Sequence, residues 1–280
     1  MGMRCAGITT LALLSLGTAE AIVVDGPPPE EGAGLLPVAA VARIHTPLGL
    51  IASGTLLPGG RYVLTAAHVV SDIPGDNISR GLVEFPSGAG RPRSRWKAVH
   101  CHPKAAEHRV WDAALIELAC PIEADVIEGL PVTTTPVAND LSVHFAGYGN
   151  RGNGLQGDFQ SPGILTLGHN CFDQEPTPEL LLVLGLSRDC GPLLLHRFDP
   201  GRNEAHFAAG DSGGPGLVPD AGGRAHVASI ILGRHRGTSD CDHRLNGSFG
   251  ELGLSLDASA LRPWLQPFLY PSRQVTINVK

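Results

Sequence analysis

The chain has few aromatic and few charged residues: Phe, Trp and Tyr make up 5% of it, and Asp, Glu, Lys and Arg 17%. Its core must therefore be built mainly from Leu, Val, Ile and Ala. The sequence has no long basic run and a net charge of −6, which argues against nucleic acid or an anionic membrane surface as a main partner. No segment reaches the run of about 18 apolar residues that a transmembrane helix requires.

Glycine and proline, in contrast, are abundant, with 36 and 23 residues among 280. They separate short apolar runs, and this pattern predicts many short β-strands joined by turns. We predict strands at 38–44, 48–57, 62–66, 82–85, 96–100, 113–118, 142–147, 164–167, 180–184, 193–198, 216–218, 226–232 and 251–256. The polar stretch 131–140 is typical of a crossing between two halves, and 257–265, with Asp257 as its N-cap, predicts a closing helix.

The first 21 residues have the features of an export signal. Arg4 precedes an apolar stretch at 8–16, and Ala19-Glu20-Ala21 provides a small-x-small cleavage site. We therefore expect a signal peptide at 1–21 and a secreted, extracellular protein that has no membrane association once the signal is removed.

Removal of that signal leaves five cysteines, at 101, 120, 171, 190 and 241. Because an exported protein meets an oxidising compartment, disulfide bonds are expected. Proximity in the sequence favours the pairs Cys101–Cys120 and Cys171–Cys190 and leaves Cys241 without a partner.

The glycine-rich segment around Ser212 has the features of a nucleophile turn. Glycines on both sides of Ser212 permit a tight turn that exposes its hydroxyl and gathers backbone N–H groups. A serine needs a base to act as a nucleophile, and the base needs a carboxylate to orient it. His68, at the end of an apolar run, and Asp112, at the start of another, are the predicted base and orienting carboxylate.

Three motifs around these residues resemble those of the trypsin/chymotrypsin-like serine peptidases. They are Thr-Ala-Ala-His at 65–68, Asp-Ala-Ala-Leu at 112–115 and Gly-Asp-Ser-Gly-Gly-Pro at 210–215, in the order that this family uses. Gly-Tyr-Gly at 147–149 resembles the family's Gly-Trp-Gly. The resemblance implies an all-β fold of two packed six-stranded antiparallel β-barrels, at 22–137 and 138–270. The site would lie between them, a C-terminal helix would dock on the second barrel, and 271–280 would form a tail.

The resemblance also assigns roles to the neighbours of Ser212. It implies that the backbone N–H groups of Gly210 and Ser212 form an oxyanion hole. It further implies that an α-ammonium group on Ile22, freed if cleavage follows Ala21, pairs with Asp211. The alternative is that 22–24 is only the first strand after a leader, and the sequence leaves both interpretations open.

The substrate pocket is less defined. By the resemblance its base is the residue six before the nucleophile, here His206, followed by Phe207, and Gly233 lies on its lining strand. Isoleucine at position 231 stands where the family usually has a serine. The aspartate that would select Arg or Lys is absent, so trypsin-like specificity is not expected. His206 would favour an acidic side chain and Phe207 a small apolar one, and the choice stays open.

The sequence thus predicts a secreted, monomeric serine endopeptidase that acts on protein or peptide substrates through an acyl-enzyme intermediate. A catalytically silent binding or scaffold protein on the same fold and an esterase that uses the same site are the alternatives. We expect no cofactor and no metal, because Cys101 and the histidines near it lack metal-site spacing.

Overall fold

The structure is a computed structural model that describes residues 22–25, 38–71, 73, 75–86, 89–159, 163–174, 176–186, 191–235 and 247–270. The predicted signal peptide, the tail at 271–280, Cys190 and Cys241 lie outside the described residues. In the part of the chain that is described, we find no helix with the length and apolar character needed to cross a membrane.

Strands dominate the described residues. They are β1 (Ile22–Val24), β2 (Val41–His45), β3 (Ile51–Leu56), β4 (Tyr62–Thr65), β5 (Leu82–Glu84), β6 (Arg93–Cys101), β7 (Ala114–Leu118), β8 (Ser142–Gly147), β9 (Arg151–Asn153), β10 (Gly157–Phe159), β11 (Thr166–Cys171), β12 (Leu193–Arg197), β13 (Ala205–His206), β14 (Pro215–Pro219), β15 (Ala225–His235) and β16 (Leu252–Asp257). The α-helices are α1 (Pro178–Val183) and α2 (Arg262–Leu269), and 3₁₀ turns occur at Val38–Ala40, Ala67–Val69, Gly75–Arg80, Arg109–Trp111 and Ala258–Leu261.

The first half is a closed barrel of six antiparallel strands in the order β2-β3-β4-β7-β6-β5. Alternation along β6 shows why these residues form a barrel wall, since Ser94 and Trp96 are buried while Arg93, Arg95 and Lys97 are exposed. Every residue of β7 is buried. Each large aliphatic side chain buried in this way stabilises the fold by roughly 1.5–3 kcal/mol.

The second half is a six-stranded sheet in the order β11-β8-β14-β15-β16-β12. An isolated bridge joins Gln174, which follows the edge strand β11, to Leu195 in the middle of the other edge strand, β12, so that the sheet curves into a half-barrel. The closed barrel, the half-barrel and the short C-terminal helix confirm the predicted trypsin-like double-barrel architecture.

A smaller sheet, in the order β10-β9-β1-β13, lies beside the second half. In it β1 runs parallel to β9 and antiparallel to β13. Ile22 and Val23 of β1 are completely buried, and Ile22 packs with Phe145 and Phe207 of the second half. The start of this segment is therefore held inside the protein.

Residues 180–184, predicted as a strand, belong to helix α1 instead. The Thr177 hydroxyl accepts a hydrogen bond from the Leu180 backbone N–H at 3.3 Å, and Pro178 occupies the first turn. These two features stabilise a helix start, and the run of leucines continues it.

Helix α2 packs on aromatic rings of the first barrel, whereas the resemblance had implied that it docks on the second. The Phe268 ring lies 5.5 Å from the ring of Tyr62 and 5.0 Å from that of His100, measured between centroids. Trp264 contacts His102 in the same way. The apolar face of the helix thus covers aromatic groups on and just after β4 and β6 and ties the C-terminal part of the described chain to the first half.

The predicted disulfide between Cys101 and Cys120 is wrong, because both cysteines are free. Cys101 pairs with Ala114 at one end of the β6–β7 ladder, while the Cys120 backbone N–H donates to Ser94 Oγ at the other end. Seven residues of β6 separate these two points, which corresponds to roughly 20 Å. A disulfide requires Cα atoms within about 7 Å. Cys171 is also free, and its predicted partner is not among the described residues.

Candidate active site

His68 and Asp112 meet because their strands are neighbours. Strands β4 and β7 are antiparallel, and Thr65 at the end of β4 pairs with Ala114 at the start of β7. The 3₁₀ turn after β4 carries His68, and Asp112 follows the 3₁₀ turn that precedes β7. Both side chains therefore stand at the same edge of the first barrel.

Two hydrogen bonds join these residues. Asp112 Oδ1 accepts from the His68 backbone N–H at 2.7 Å, and Asp112 Oδ2 accepts from His68 Nδ1 at 2.5 Å. Because a carboxylate accepts only, the proton lies on Nδ1 and Nε2 of the neutral ring carries a lone pair. The Asp112 side chain is 16% exposed and the His68 ring 46%. The carboxylate is thus sheltered, and the histidine can reach a substrate.

The turn that carries Ser212 is held by both halves of the protein. Ser53 of β3 donates its backbone N–H to the Ser212 carbonyl and its hydroxyl to the Gly210 carbonyl, both at 3.0 Å. The Gly213 backbone N–H donates to the Ile231 carbonyl of β15 at 2.8 Å. Sequence reasoning missed Ser53, because its role depends on a contact between distant segments.

Glycine is required at position 213. Its φ is +82°, and a Cβ there would collide with Thr65 Oγ1 and the Ser53 carbonyl. The nucleophile turn therefore packs directly on the end of β4, three residues before His68. Within the described residues, the His68 ring and the Ser212 hydroxyl form no hydrogen bond. Such contacts are often long in an unliganded site and shorten when substrate binds.

The backbone N–H groups of Gly210 and Ser212 donate no hydrogen bond to any other described residue, whereas those of Asp211, Gly213 and Gly214 do. The Ala209 carbonyl accepts from the Asn150 backbone N–H at 2.7 Å. Carbonyl and N–H point in opposite directions across a trans peptide, so this bond directs the Gly210 N–H away from Asn150. The turn therefore offers two unused donors beside a partly exposed serine.

Asp211 is completely buried, and burial raises the pKa of its carboxyl group to about 7. It accepts hydrogen bonds from the backbone N–H groups of Ala208 at 2.8 Å and Gly149 at 2.9 Å. A Cβ on Gly147 or Gly149 would strike Asp211 Oδ1, which accounts for both glycines of the Gly-Tyr-Gly motif.

Ile22 belongs to the strand beside the segment that leads away from this carboxylate. It pairs with Arg151, two residues after the Gly149 that binds Asp211. Two strand residues span roughly 7 Å. Its backbone φ is +66°, which is a strained conformation for a β-branched residue.

The structure buries His206 and Phe207, the residues predicted at the base of the substrate pocket, completely. Strand β1 covers them, since Val23 pairs with His206. The His206 ring stacks on Phe198 and lies 3.2 Å, Nδ1 to Nε2, from His196. Burial lowers the pKa of both histidines, so these rings are neutral parts of the interior.

Gly233, in contrast, borders open space at a bulge in β15. Apart from its chain neighbours, no atom of the described residues lies within 4 Å of the place where its Cβ would be. The next residue, Arg234, forms an ion pair with Asp158 at 2.5 Å and another with Glu251 at 3.3 Å. Sequence reasoning missed this cluster, because 76 residues separate Asp158 from Arg234 and no local motif marks either.

Comparison with known proteins agrees with the fold. The family model for trypsin matches residues 23–171, a range that includes His68 and Asp112 and ends before Ser212. No curated protein matches the chain. The family match covers more than half of the sequence, and the closed barrel and half-barrel agree with it. The chain therefore belongs to the trypsin family and has a serine-peptidase fold.

Proposed function

We propose that this protein is a secreted serine endopeptidase in which Ser212, His68 and Asp112 form the catalytic triad. The observation that carries the proposal is the contact between His68 Nδ1 and Asp112 Oδ2, at the edge where the Ser212 turn packs on β4. An oriented imidazole beside a partly exposed serine and unused N–H donors is the arrangement that acyl transfer needs.

In the proposed mechanism the Ser212 hydroxyl attacks the carbonyl carbon of the scissile peptide bond and His68 Nε2 takes its proton. The N–H groups of Gly210 and Ser212 stabilise the negative oxygen of the tetrahedral intermediate. When the carbon–nitrogen bond breaks, His68 returns the proton to the leaving amine and an acyl-enzyme remains. Water then attacks the acyl carbon by the same route, which releases the acid and restores Ser212.

Processing between Ala21 and Ile22 completes the proposed site. Cleavage there would convert the Ile22 amide into an α-ammonium group near the buried Asp211 carboxylate. Two observations support this step: Asp211 has a raised pKa, and the φ of Ile22 is strained while the chain is continuous. Cleavage would remove the strain and supply a cation. N-terminal sequencing of the exported protein should find Ile22 first, and a start several residues away would contradict the step.

The proposed specificity is not trypsin-like. The residue six before Ser212 is His206, a neutral buried ring with no charge to attract Arg or Lys. His206 and Phe207 at the base of the pocket and Gly233 on its lining strand stay the proposed pocket residues, and the choice between an acidic and a small apolar side chain stays open.

A fluorophosphonate probe tests the proposal, because it reacts only with an activated serine. We expect the processed protein to be labelled, Ser212→Ala to show no label, and Ser142→Ala, which removes an exposed serine on β8, to label normally. A folded processed protein that does not react would favour the binding or scaffold alternative. A protein that labels and hydrolyses esters but cleaves nothing in a peptide library would favour the esterase.

A further inference from the structure

The turn that presents the Gly210 N–H contains a glycine, whose backbone dihedral angles are less restricted than those of other residues. Gly210 has φ of +99°, and a Cβ on it would press against Gly149. The position therefore requires glycine, and glycine tolerates either sign of φ. A flip of the Ala209–Gly210 peptide would turn the Gly210 N–H away from the cleft, so something outside the glycine must hold this peptide.

Asn150 and Asp158 contact Ala209 on both sides. The Asn150 backbone N–H donates to the Ala209 carbonyl at 2.7 Å, and the Ala209 N–H donates to Asp158 Oδ2 at 3.4 Å. The Asn150 side chain also donates to Asp158 Oδ2, at 3.2 Å. Both backbone groups of the residue before Gly210 are thus held by the same two residues, the carbonyl by the Asn150 backbone and the N–H by the Asp158 side chain.

Arg234 in turn anchors Asp158. Its Nη2 lies 2.5 Å from Asp158 Oδ1, while Nη1 lies 3.3 Å from Glu251 Oε2 and 3.4 Å from Ser248 Oγ. The side chains of Asp158 and Arg234 are 14% and 28% exposed, so water screens their ion pair only in part. Arg234 lies on β15, the strand whose Ile231 carbonyl binds Gly213.

We propose that Asp158 and Arg234 are positioning residues for the oxyanion hole, and that their ion pair holds the Ala209–Gly210 peptide so that the Gly210 N–H faces the cleft. This inference rests on the proposed function. Under this proposal Arg234 positions the oxyanion hole and does not bind a charged substrate side chain, because its guanidinium group already forms ion pairs with two carboxylates.

The test measures acylation by p-nitrophenyl acetate in the purified, processed protein. The small acetyl group needs no side-chain pocket, so its rate reports the nucleophile and the oxyanion hole alone. We expect Asp158→Asn and Arg234→Gln each to lower the acylation rate about tenfold. The double variant should lose no more than either single one, since both break the same link.

A matched control is Arg224→Gln, which breaks an exposed ion pair in which Arg224 Nη2 lies 2.6 Å from Glu128 Oε1. It should acylate at the wild-type rate. Arg234→Lys keeps the charge but cannot bridge two carboxylates in the same way, so it should recover part of the rate. With a peptide substrate from a library, Asp158→Asn should lower kcat and leave KM unchanged, with kcat expressed per molecule of protein that circular dichroism shows to be folded, because a loss of folded protein alone would also lower the apparent kcat without changing KM.

Wild-type acylation in Asp158→Asn would overturn the proposal. An Arg234→Gln variant that acylates normally but changes its peptide preference would also overturn it, since that result assigns Arg234 to substrate binding. If the folded wild-type protein itself does not react, the proposed function fails, and the positioning role of Asp158 and Arg234 fails with it. That outcome is seen before any variant is made, so the two failures are distinguishable.

Discussion

The buried carboxylate of Asp211 should make the stability of the unprocessed chain depend on pH. Burial raises its pKa from 3.8 to about 7. Between these values the native state keeps a proton that the unfolded state has released. The unfolded state therefore binds one proton fewer, and the free energy of unfolding falls by about 1.4 kcal/mol for each pH unit. Over roughly three units the loss is about 4 kcal/mol, and no further loss occurs above pH 7.

The measurement compares the protein with Asp211→Asn by urea denaturation at several pH values from 4 to 8. A hydrophilic tag replaces the residues before Ile22, so that the peptide bond to Ile22 is kept. Asparagine cannot ionise, so the difference between the two curves isolates Asp211. Asparagine also loses one of two accepted hydrogen bonds, which costs about 1–3 kcal/mol at every pH and leaves the slope unaffected.

The processed chain, which begins at Ile22, serves as the counterpart. A neighbouring α-ammonium group would stabilise the ionised carboxylate and lower its pKa, so the decline with pH should disappear. If Asp211→Asn shows the same slope as the unprocessed wild-type chain, the assigned burial effect is refuted. If the processed chain keeps the decline, Ile22 is not the partner of Asp211.

Three further predictions concern the triad, its turn and the first barrel. Asp112→Asn should lower kcat about 10⁴-fold in steady-state assays with little change in melting temperature, and retained activity would argue against its orienting role. Gly213→Ala should destabilise the protein by at least about 1–2 kcal/mol in urea denaturation and abolish probe labelling, because the new methyl group meets Thr65. Glu117 has a pKa of about 2, lowered by its hydrogen bond from Lys97 and by Arg61, so it stabilises the fold above its unfolded value of 4.5. Because Arg61 and Lys97 are about half exposed, water screens their contacts with Glu117, so Glu117→Gln should cost about 1 kcal/mol at pH 7, and this difference should shrink as pH falls from 4.5 to 2.

The parts of the fold that depend on local pattern could be predicted from the sequence. Apolar runs bounded by glycine and proline marked most strands, and the predicted strand at 142–147 agrees with β8 (Ser142–Gly147). His68 and Asp112 each stand at the end of an apolar strand, so motif and strand together predicted two side chains that the structure joins. The cap at Asp257 was also readable, since its side chain accepts from the Ser259 N–H, although it caps the 3₁₀ turn that leads into α2 and not α2 itself.

The errors arose where distance along the chain is a poor guide to distance in space. Cys101 and Cys120 are close in the sequence, but the β6–β7 ladder separates them by its full length. Residues around Leu182 read as a strand because a short apolar run fits either a strand or a helix, and the cap at Thr177 decided for the helix.

Because Ser53 binds it, the nucleophile turn is held by hydrogen bonds from both halves of the molecule. The two hydrogen bonds of Ser53 come from β3 of the first barrel, while the bond from Gly213 goes to β15 of the second half. A fragment that contains only the second half would keep the glycine-rich segment and lose the contacts that shape it. Separation of the two halves under mild denaturant should therefore abolish activity while the strands within each half remain paired. The enzymatic rate would then report whether the interface between the halves is intact.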